Sequence, residues 1–278
     1  MEGGRDAARE LHGPRRQQDL RPGRSVGGVS QVLDRLALDA GCRDGTVATP
    51  QRTAGACNGR QVLSKGNHQD LRRFGFTTGG PQLKGNWRGE ELGSCTDCRR
   101  YQMELRAGRI SQEDWNELQG CIIRSPGHCM VMGTASTMAC LAEAIGMALP
   151  HSAAIPAVDS RRLQLAETTG RQIVRLVEQD LRPSRIMTRP AFENAIRTLH
   201  AIGGSTNAVI HLVAIAGRLG LELSLDDFDR LARSTPFLLD LKPSGRFLME
   251  DFYYAGGLPA LLAELAPLLD LSAVTVTG

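Results

Sequence analysis

From Phe74 onward, apolar residues recur at intervals of three and four, the spacing that lines one face of a helix. Met138, Leu141, Ala142, Ile145 and Leu149 predict a helix from about Thr134 to Leu149, ended by Pro150. Gly133, Ala135, Ser136 and Ala139 keep its first turns narrow, which leaves room for another backbone or a bulky inorganic group. Leu163, Ala166, Ile173, Leu176 and Val177 fall on one face of a longer helix over 159–180, with Gly170 placed to bend it. Further helices are expected over 97–107, stopped by Gly108, over 188–202, over 207–219, closed by Gly220, and over 259–269.

Polar residues mark where these helices start. Ser111-Gln112-Glu113-Asp114 and Ser224-Leu225-Asp226-Asp227 have capping-box spacing, and the first opens a helix with Trp115 and Leu118 turned inward. Thr188 is placed as an N-cap, with Pro190 in the first turn. Loops fall at 77–81, 124–129 and 203–206. Three apolar runs too short for helices, 153–158, 237–241 and 274–276, read as strands. Helices separated by short apolar strands give an α/β fold class, helix-rich in this portion, without an internal repeat.

Composition divides the chain in two. Residues 1–73 contain no Ile, Phe, Trp or Tyr and are crowded with Arg, Gly and Gln. Too few large apolar side chains are present to offset the entropy of ordering them. Only Val29, Val32, Leu33 and Leu36 suggest a short helix. This stretch is therefore expected to be disordered or poorly packed, and 74–278 to be the folded portion. Over all 278 residues the net charge is +3, which gives no reason to invoke nucleic acid or a membrane. A basic tail at 1–73 lacks the stacking aromatics of a single-strand binder. No run approaches the apolar length of a membrane span, and no apolar segment follows the Arg-rich start as a secretory signal needs. Seven cysteines form an odd set in a chain too long to need staples. They are expected as reduced thiols in the cytoplasm, one or more of them holding metal.

Cys129 is the first chemical candidate. It lies in a Pro-Gly loop just before a helix N-terminus, where free amides and the helix dipole favour a thiolate. A buried, inert cysteine is the alternative reading of the same residue. Cys95 and Cys98 form a CxxC that, with Cys121 and Cys129, offers a four-cysteine zinc site, although the spacing is not that of paired knuckles. Gly203-Gly204-Ser205-Thr206-Asn207 opens a helix after a flexible turn and offers Ser205 and Thr206 to a carboxylate or phosphate, or is an ordinary capped turn. His128 and His151 flank the Cys129 helix and are better site candidates than His200 and His211, which lie on apolar helices. Asp226, Asp227 and Asp229 read as a solvated helix start. Glu250-Asp251 is a weak metal candidate.

Taken together, these segments resemble the dihydroxy-acid and sugar-acid dehydratases, a family that includes phosphogluconate dehydratase. The matching strings are Gly79-Gly80-Pro81, Gly89 to Ser94, Ser125-Pro126-Gly127-His128-Cys129 through Met138, Ala153 to Asp159, Gly203 to Ala208, and Pro243 to Asp251. They stand in family order and spacing over about 76–278. The run Gly133-Thr134-Ala135-Ser136-Thr137-Met138 is closer to the sugar-acid branch than to the branched-chain amino-acid branch. The resemblance implies a hydro-lyase that takes water from a 2,3-dihydroxy carboxylic acid, such as an aldonate, to leave a 2-oxo acid. It implies a [2Fe–2S] or [4Fe–4S] cluster on three cysteines, with one iron acting as a Lewis acid, and a nearby Mg²⁺. It also implies a large N-terminal dehydratase domain, a small-molecule partner and a homodimer. Cys129 matches the last cluster cysteine.

The departures are as informative. In the family another cluster cysteine is followed by the Asp and Lys that bind Mg²⁺, upstream of the Gly-Gly-Pro. Here Gly41-Cys42-Arg43-Asp44 and Gly55-Ala56-Cys57-Asn58 do not match it, and Cys95 and Cys98 are not at family cluster positions. The family's base serine and a further Mg²⁺-binding Glu belong to a C-terminal domain expected beyond Gly278. The abrupt junction near Phe74 suggests a shifted reading frame over 1–73. On these grounds the chain is expected to be an inactive fragment of its family. The competing reading is a non-catalytic zinc-binding or interaction protein built on Cys95, Cys98, Cys121 and Cys129.

Overall fold

Gly93 packs closely at a junction of the fold: a Cβ there would meet the side chains of Val131, Lys242 and Leu248 at 3.0–3.3 Å, so a larger residue would press on those three side chains. The helix that follows, α1 (Ser94–Arg106), begins three residues before the expected start at Asp97. Asp97 acts from inside it: its carboxylate accepts the Gly93 amide at 2.6 Å and so supplies the cap that Gly93 lacks. The computed structural model describes residues 76–278, and the expectations for 1–73 lie outside the described residues.

Just upstream, β1 (Gly85–Trp87) pairs antiparallel with β2 (Glu90–Leu92), in the register Gly85↔Leu92 and Trp87↔Glu90. Arg88 and Gly89 both take positive φ between the strands, as a two-residue hairpin turn requires. Strands of three residues are too short to show alternation, and the sequence did not predict them. The capping box at Ser111 and Asp114 opens α2 (Gln112–Ile122) as expected. Trp87, Leu92, Tyr101, Leu118 and Ile122 form one buried cluster, with Trp87 edge-on to Tyr101 at 5.3 Å between ring centroids.

The centre of the molecule is α3 (Thr134–Ala144), which faces two cores. Leu141 joins a cluster with Ile173, Leu176, Phe192, Ile196, Leu212 and Leu231. Ala139 and Cys140 join a second with Met132, Ala201, Met249, Phe252, Leu258 and Leu261. A helix apolar on most sides must be covered on most sides. The cover comes from α4 (Ser160–Glu178), α6 (Arg189–Ala201), α7 (Asn207–Arg218), α8 (Leu225–Ala232), α9 (Met249–Tyr254) and α10 (Gly257–Leu265), with the one-turn α5 (Pro183–Ile186) between α4 and α6. Each large aliphatic side chain buried this way contributes roughly 1.5–3 kcal/mol.

Several boundaries differ from expectation. The helix from Thr134 stops at Ala144 rather than Leu149. Gly146 takes φ +88°, its amide bonds Glu143 O, and Met147 N reaches back to Ala142 O, a glycine C-cap that acts before Pro150 can. In α4, Arg162, Thr169, Ile173 and Leu176 face inward, whereas Leu163 is 71 % exposed and Val177 44 %, so these two leave the predicted apolar face. The helix runs unbroken through Gly170. The last helix ends at Leu265 and continues as a 3-10 turn over Ala266–Leu268.

None of the three expected strands forms. Residues 153–158 form turns and bends; 153–156 are buried as expected whereas Val158 is exposed, and the buried polar backbone is met by side chains rather than by a ladder. The Glu143 carboxylate accepts the His151 and Ala153 amides at 2.7 and 2.8 Å. Arg162 donates to the carbonyls of Thr78 and Ser152 at 2.9 and 2.8 Å and also to that of Ile155. Residues 237–241 are extended and end in an isolated bridge, Leu241↔Phe247. At 274–276 the chain packs singly, with Val276 N on Gly146 O. Among the described residues the architecture is thus helix-rich, with one hairpin and isolated bridges. No described helix is long and apolar enough to cross a membrane.

Candidate cysteine site at the head of the central helix

The loop that carries Cys129 is fixed on both sides. Gly127 takes φ +131°, and a Cβ there would lie 2.7 Å from Gln82 N. This close approach lets His128 N bond Gly80 O at 3.0 Å while Gln82 N bonds His128 O at 2.8 Å. Downstream, Met130 O accepts Met249 N and Met132 N bonds Lys242 O. Met130 and Val131 are buried with Leu248. The Ser136 hydroxyl of α3 donates to Val131 O at 2.8 Å and to Cys129 O at 3.3 Å. The Gly-His-Cys segment is therefore held by backbone on one side and by the head of α3 on the other.

Cys129 is half-buried rather than enclosed in the core. Its Sγ lies 2.6 Å from Ser94 Oγ and 4.0 Å from Cys95 Sγ. Ser94 and Cys95 open the first turn of α1, so the N-terminus of that helix lies beside the sulfur. The Cys95 thiol is held above its ordinary pKa, first by the neighbouring Cys129 sulfur and then by burial. Cys95 stands 34 residues from Cys129 in the chain. The CxxC spacing drew attention to it for a different reason, and nothing local shows which cysteine it meets.

The other cysteines do not join them. Cys98 and Cys121 pack against the Trp87–Leu118 cluster, and Cys140 is fully buried, its thiol pushed far up by desolvation. Among the described residues no group of three or more His, Cys, Asp or Glu is arranged to hold a metal. The four-cysteine zinc site is overturned: the satellite core takes two of its members.

Ser205 and Thr206 come to the same end of α3. Ser205 Oγ lies 3.0 Å from Thr134 Oγ1, Asn207 Nδ2 donates to Thr134 Oγ1 at 2.9 Å, and Ser205 N donates to Thr137 Oγ1 at 3.0 Å. A Cβ on Gly204 would strike Thr137 and Leu199 at 2.7 Å, so glycine permits this docking. Thr206 is exposed and Ser205 half-buried. The hydroxyls of Thr134 and Ser205 thus meet where α3 and α7 both begin, with Thr206 the exposed N-cap residue of α7.

The remaining candidates sort by partner. His128 is buried, with Nδ1 3.1 Å from Cys129 O and Nε2 without a hydrogen-bond partner; burial lowers its pKa and keeps it neutral. His151 is an exposed residue at φ +69°. His200 bonds Phe228 O through Nε2 at 3.1 Å, in keeping with a core role. Asp227 is a cap and ion-pair residue, held far below the usual carboxylate range first by the Ser224 amide. Glu250 accepts Lys84 N at 3.0 Å and Asp251 pairs with Lys84 Nζ at 2.8 Å, so this acidic pair is engaged internally. The buried Glu143 and Arg162 and the half-buried Lys242 brace the loops around the site, and nothing local in the sequence signals that placement.

Over residues 74–278 the chain matches the family model described as dihydroxy-acid/6-phosphogluconate dehydratase N-terminal. The chain belongs to this family. Among its relatives, the L-arabinonate dehydratase of Rhizobium leguminosarum bv. trifolii is 50 % identical over 250 residues, covering 89 % of this chain and 41 % of the relative. The L-arabonate dehydratase of Azospirillum brasilense is 48 % identical, covering 88 % of this chain and 40 % of the relative. The dihydroxy-acid dehydratase of Metallosphaera sedula is 44 % identical, covering 73 % and 37 %. The chain thus spans about two fifths of the curated relatives it matches. At 89 % coverage the first of these matches also reaches upstream of residue 74.

Proposed function

We propose that this chain carries the N-terminal part of a hydro-lyase that converts a 2,3-dihydroxy carboxylic acid to a 2-oxo acid, with a sugar acid (an aldonate) as substrate. Family membership supports the reaction class. The names of the more identical relatives and the Gly133–Met138 run support the sugar-acid branch. The observation that carries the reading is that the Gly203–Asn207 turn docks on Thr134 and Thr137, while the Cys129 loop is held by Ser136 of the same first turns of α3.

The residues present fit part of an iron–sulfur site. A half-buried thiol in a Pro-Gly loop, beside a serine hydroxyl and a second thiol at the N-terminus of α1, is a soft-metal donor pair. Cys129 would hold the cluster, which supplies a Lewis-acidic iron to the departing hydroxyl. In our reading the hydroxyls of Thr134, Ser205 and Thr206 and the positive end of α7 bind and orient the substrate carboxylate. His128, neutral and hydrogen-bonded within the loop, holds the Cys129 peptide rather than moving a proton. Among the described residues no group of three or more His, Cys, Asp or Glu side chains is arranged to hold Mg²⁺, and Asp97, Asp227 and Asp251 are each paired with a basic side chain.

We further propose that 74–278 is one dehydratase-domain portion of α/β class, a reading supported by the parallel bridges Phe76↔Ala148 and Pro81↔His128. A cytoplasmic setting and a homodimer fit the family. Anaerobic reconstitution with iron and sulfide tests the core of the proposal. A brown protein with visible absorption that is lost in Cys129→Ala supports it, and a colourless wild type overturns it. Ser205→Ala is expected to weaken aldonate binding about tenfold, the loss of one hydrogen bond to a charged group. Calorimetric titration of the reconstituted chain would show the change.

A further inference from the structure

The approach of Cys95 to Cys129 is a contact that Cys129's own loop does not require. One thiol opens α1 and the other precedes α3, and Gly93, just before α1, packs against the Val131 side chain two residues past Cys129. Their sulfurs are 4.0 Å apart. A disulfide needs the sulfurs at about 2 Å, so that bond would require closure by about half the distance. A single tetrahedral ion with metal–sulfur bonds of about 2.3 Å holds two thiolates about 3.8 Å apart. The observed spacing is close to that of two ligands on one metal ion.

We propose that Cys95 and Cys129 form a two-thiolate chelate for one thiophilic cation, which makes Cys95 a second protein ligand to the iron that Cys129 holds. This rests on the reading of Cys129 as an iron ligand. The loops around the pair are already braced: Asp97 ties Gly93 N and Lys242 Nζ at 2.6 and 2.7 Å, and Gly127 fixes the opposite wall. Ser94 Oγ lies 2.6 Å from Cys129 Sγ, where its hydroxyl would donate to the sulfur once a metal ion has displaced the thiol proton. Binding exchanges two S–H bonds for two metal–sulfur bonds and releases two protons, with no change of oxidation state. Cys95 is exposed, so an ion enters from solvent without opening the core.

The test uses the full chain, reduced and anaerobic, titrated with Cd²⁺ and followed by the ultraviolet thiolate-to-metal band. Wild type is expected to show the band. Cys95→Ala and Cys129→Ala are each expected to lose most of it and to bind at least tenfold more weakly, while Cys98→Ala behaves as wild type. If Cys95→Ala keeps the wild-type band and affinity, or wild type shows no band, the chelate is wrong. Iron–sulfide reconstitution separates this idea from the reading beneath it. Colour lost in Cys129→Ala but unchanged in Cys95→Ala sinks the chelate and leaves the cluster reading standing. Colour retained in Cys129→Ala sinks the cluster reading itself. Circular dichroism identifies any variant that fails to fold, and Cys95→Ser then replaces it.

Discussion

Glu143 shows how a single buried side chain replaces secondary structure. Its carboxylate takes the His151 and Ala153 amides and the Ser152 hydroxyl, doing for residues 151–153 what a neighbouring strand would do. Burial nevertheless dominates and pushes its pKa up to about 7, against those donors and the Arg162 guanidinium. A carboxyl raised above its ordinary 4.5 binds its proton more tightly in the folded state than in the unfolded one. Stability should therefore fall as pH rises from about 4.5 to about 7 and level off above. Glu143→Gln is expected to flatten that slope, while Glu143→Ala strands the buried amides at a cost of about 1–3 kcal/mol each. Urea unfolding at pH 5 and pH 8 distinguishes the two; a Glu143→Gln protein that keeps the wild-type slope refutes the assignment. The chemistry at this scale was legible only where it was local. The Cys129 loop and the Gly203–Asn207 turn could be read from neighbouring residues, whereas the Ser94–Cys95 contact and the burial of Glu143 and Arg162 depend on where distant segments fold.

At the scale of elements, glycines with opposite backbone requirements make opposite predictions. Gly146 ends α3 at φ +88°, and an added Cβ would lie 3.0 Å from Thr275. Gly146→Ala is expected to destabilise by about 1–2 kcal/mol for the left-handed backbone alone, with the Thr275 contact adding to it. Gly170 sits inside α4 with negative φ and open space around it, so Gly170→Ala is expected to stabilise by about 0.5–1 kcal/mol. Denaturant midpoints with unchanged m-values would bear out both signs. The same locality explains which elements the sequence revealed. The helices at Ser111 and Ser224 carry capping boxes, which are contacts within four residues. The hairpin of β1 and β2 and the six-residue α9 are too short to show a period. The apolar run at 153–158 read as a strand because hydrophobicity reports burial, not the partner that satisfies the backbone.

At the scale of the whole molecule, the hairpin, α1 and α2 surround a core of their own, and long-range charged contacts tie this lobe to the 240s. Lys242 Nζ meets Asp97 Oδ2 at 2.7 Å across 145 residues of sequence, and Lys84 Nζ meets Asp251 at 2.8 Å. Burial opposes ionisation of Asp97, but Lys242, the Gly93 amide and Arg100 together hold its carboxyl below the ordinary value. The stabilisation from this pair is therefore present above the ordinary Asp pKa of 3.8 and is lost as pH falls through the lower folded value. Removing one partner leaves the other charge buried, at about 3–5 kcal/mol. Lys242→Met is expected to destabilise by that order, and Asp97→Asn with Lys242→Met together by less than the sum of the two singles. Because Asp97 also caps Gly93, loosening the pair should let the head of α1 drift from the Cys129 loop. Hydrogen exchange would report this as faster exchange at α1 and the hairpin while α6 and α7 keep their protection. Equal loosening of both regions would show that the lobe has no separate stability and that Lys242 supports the molecule as a whole.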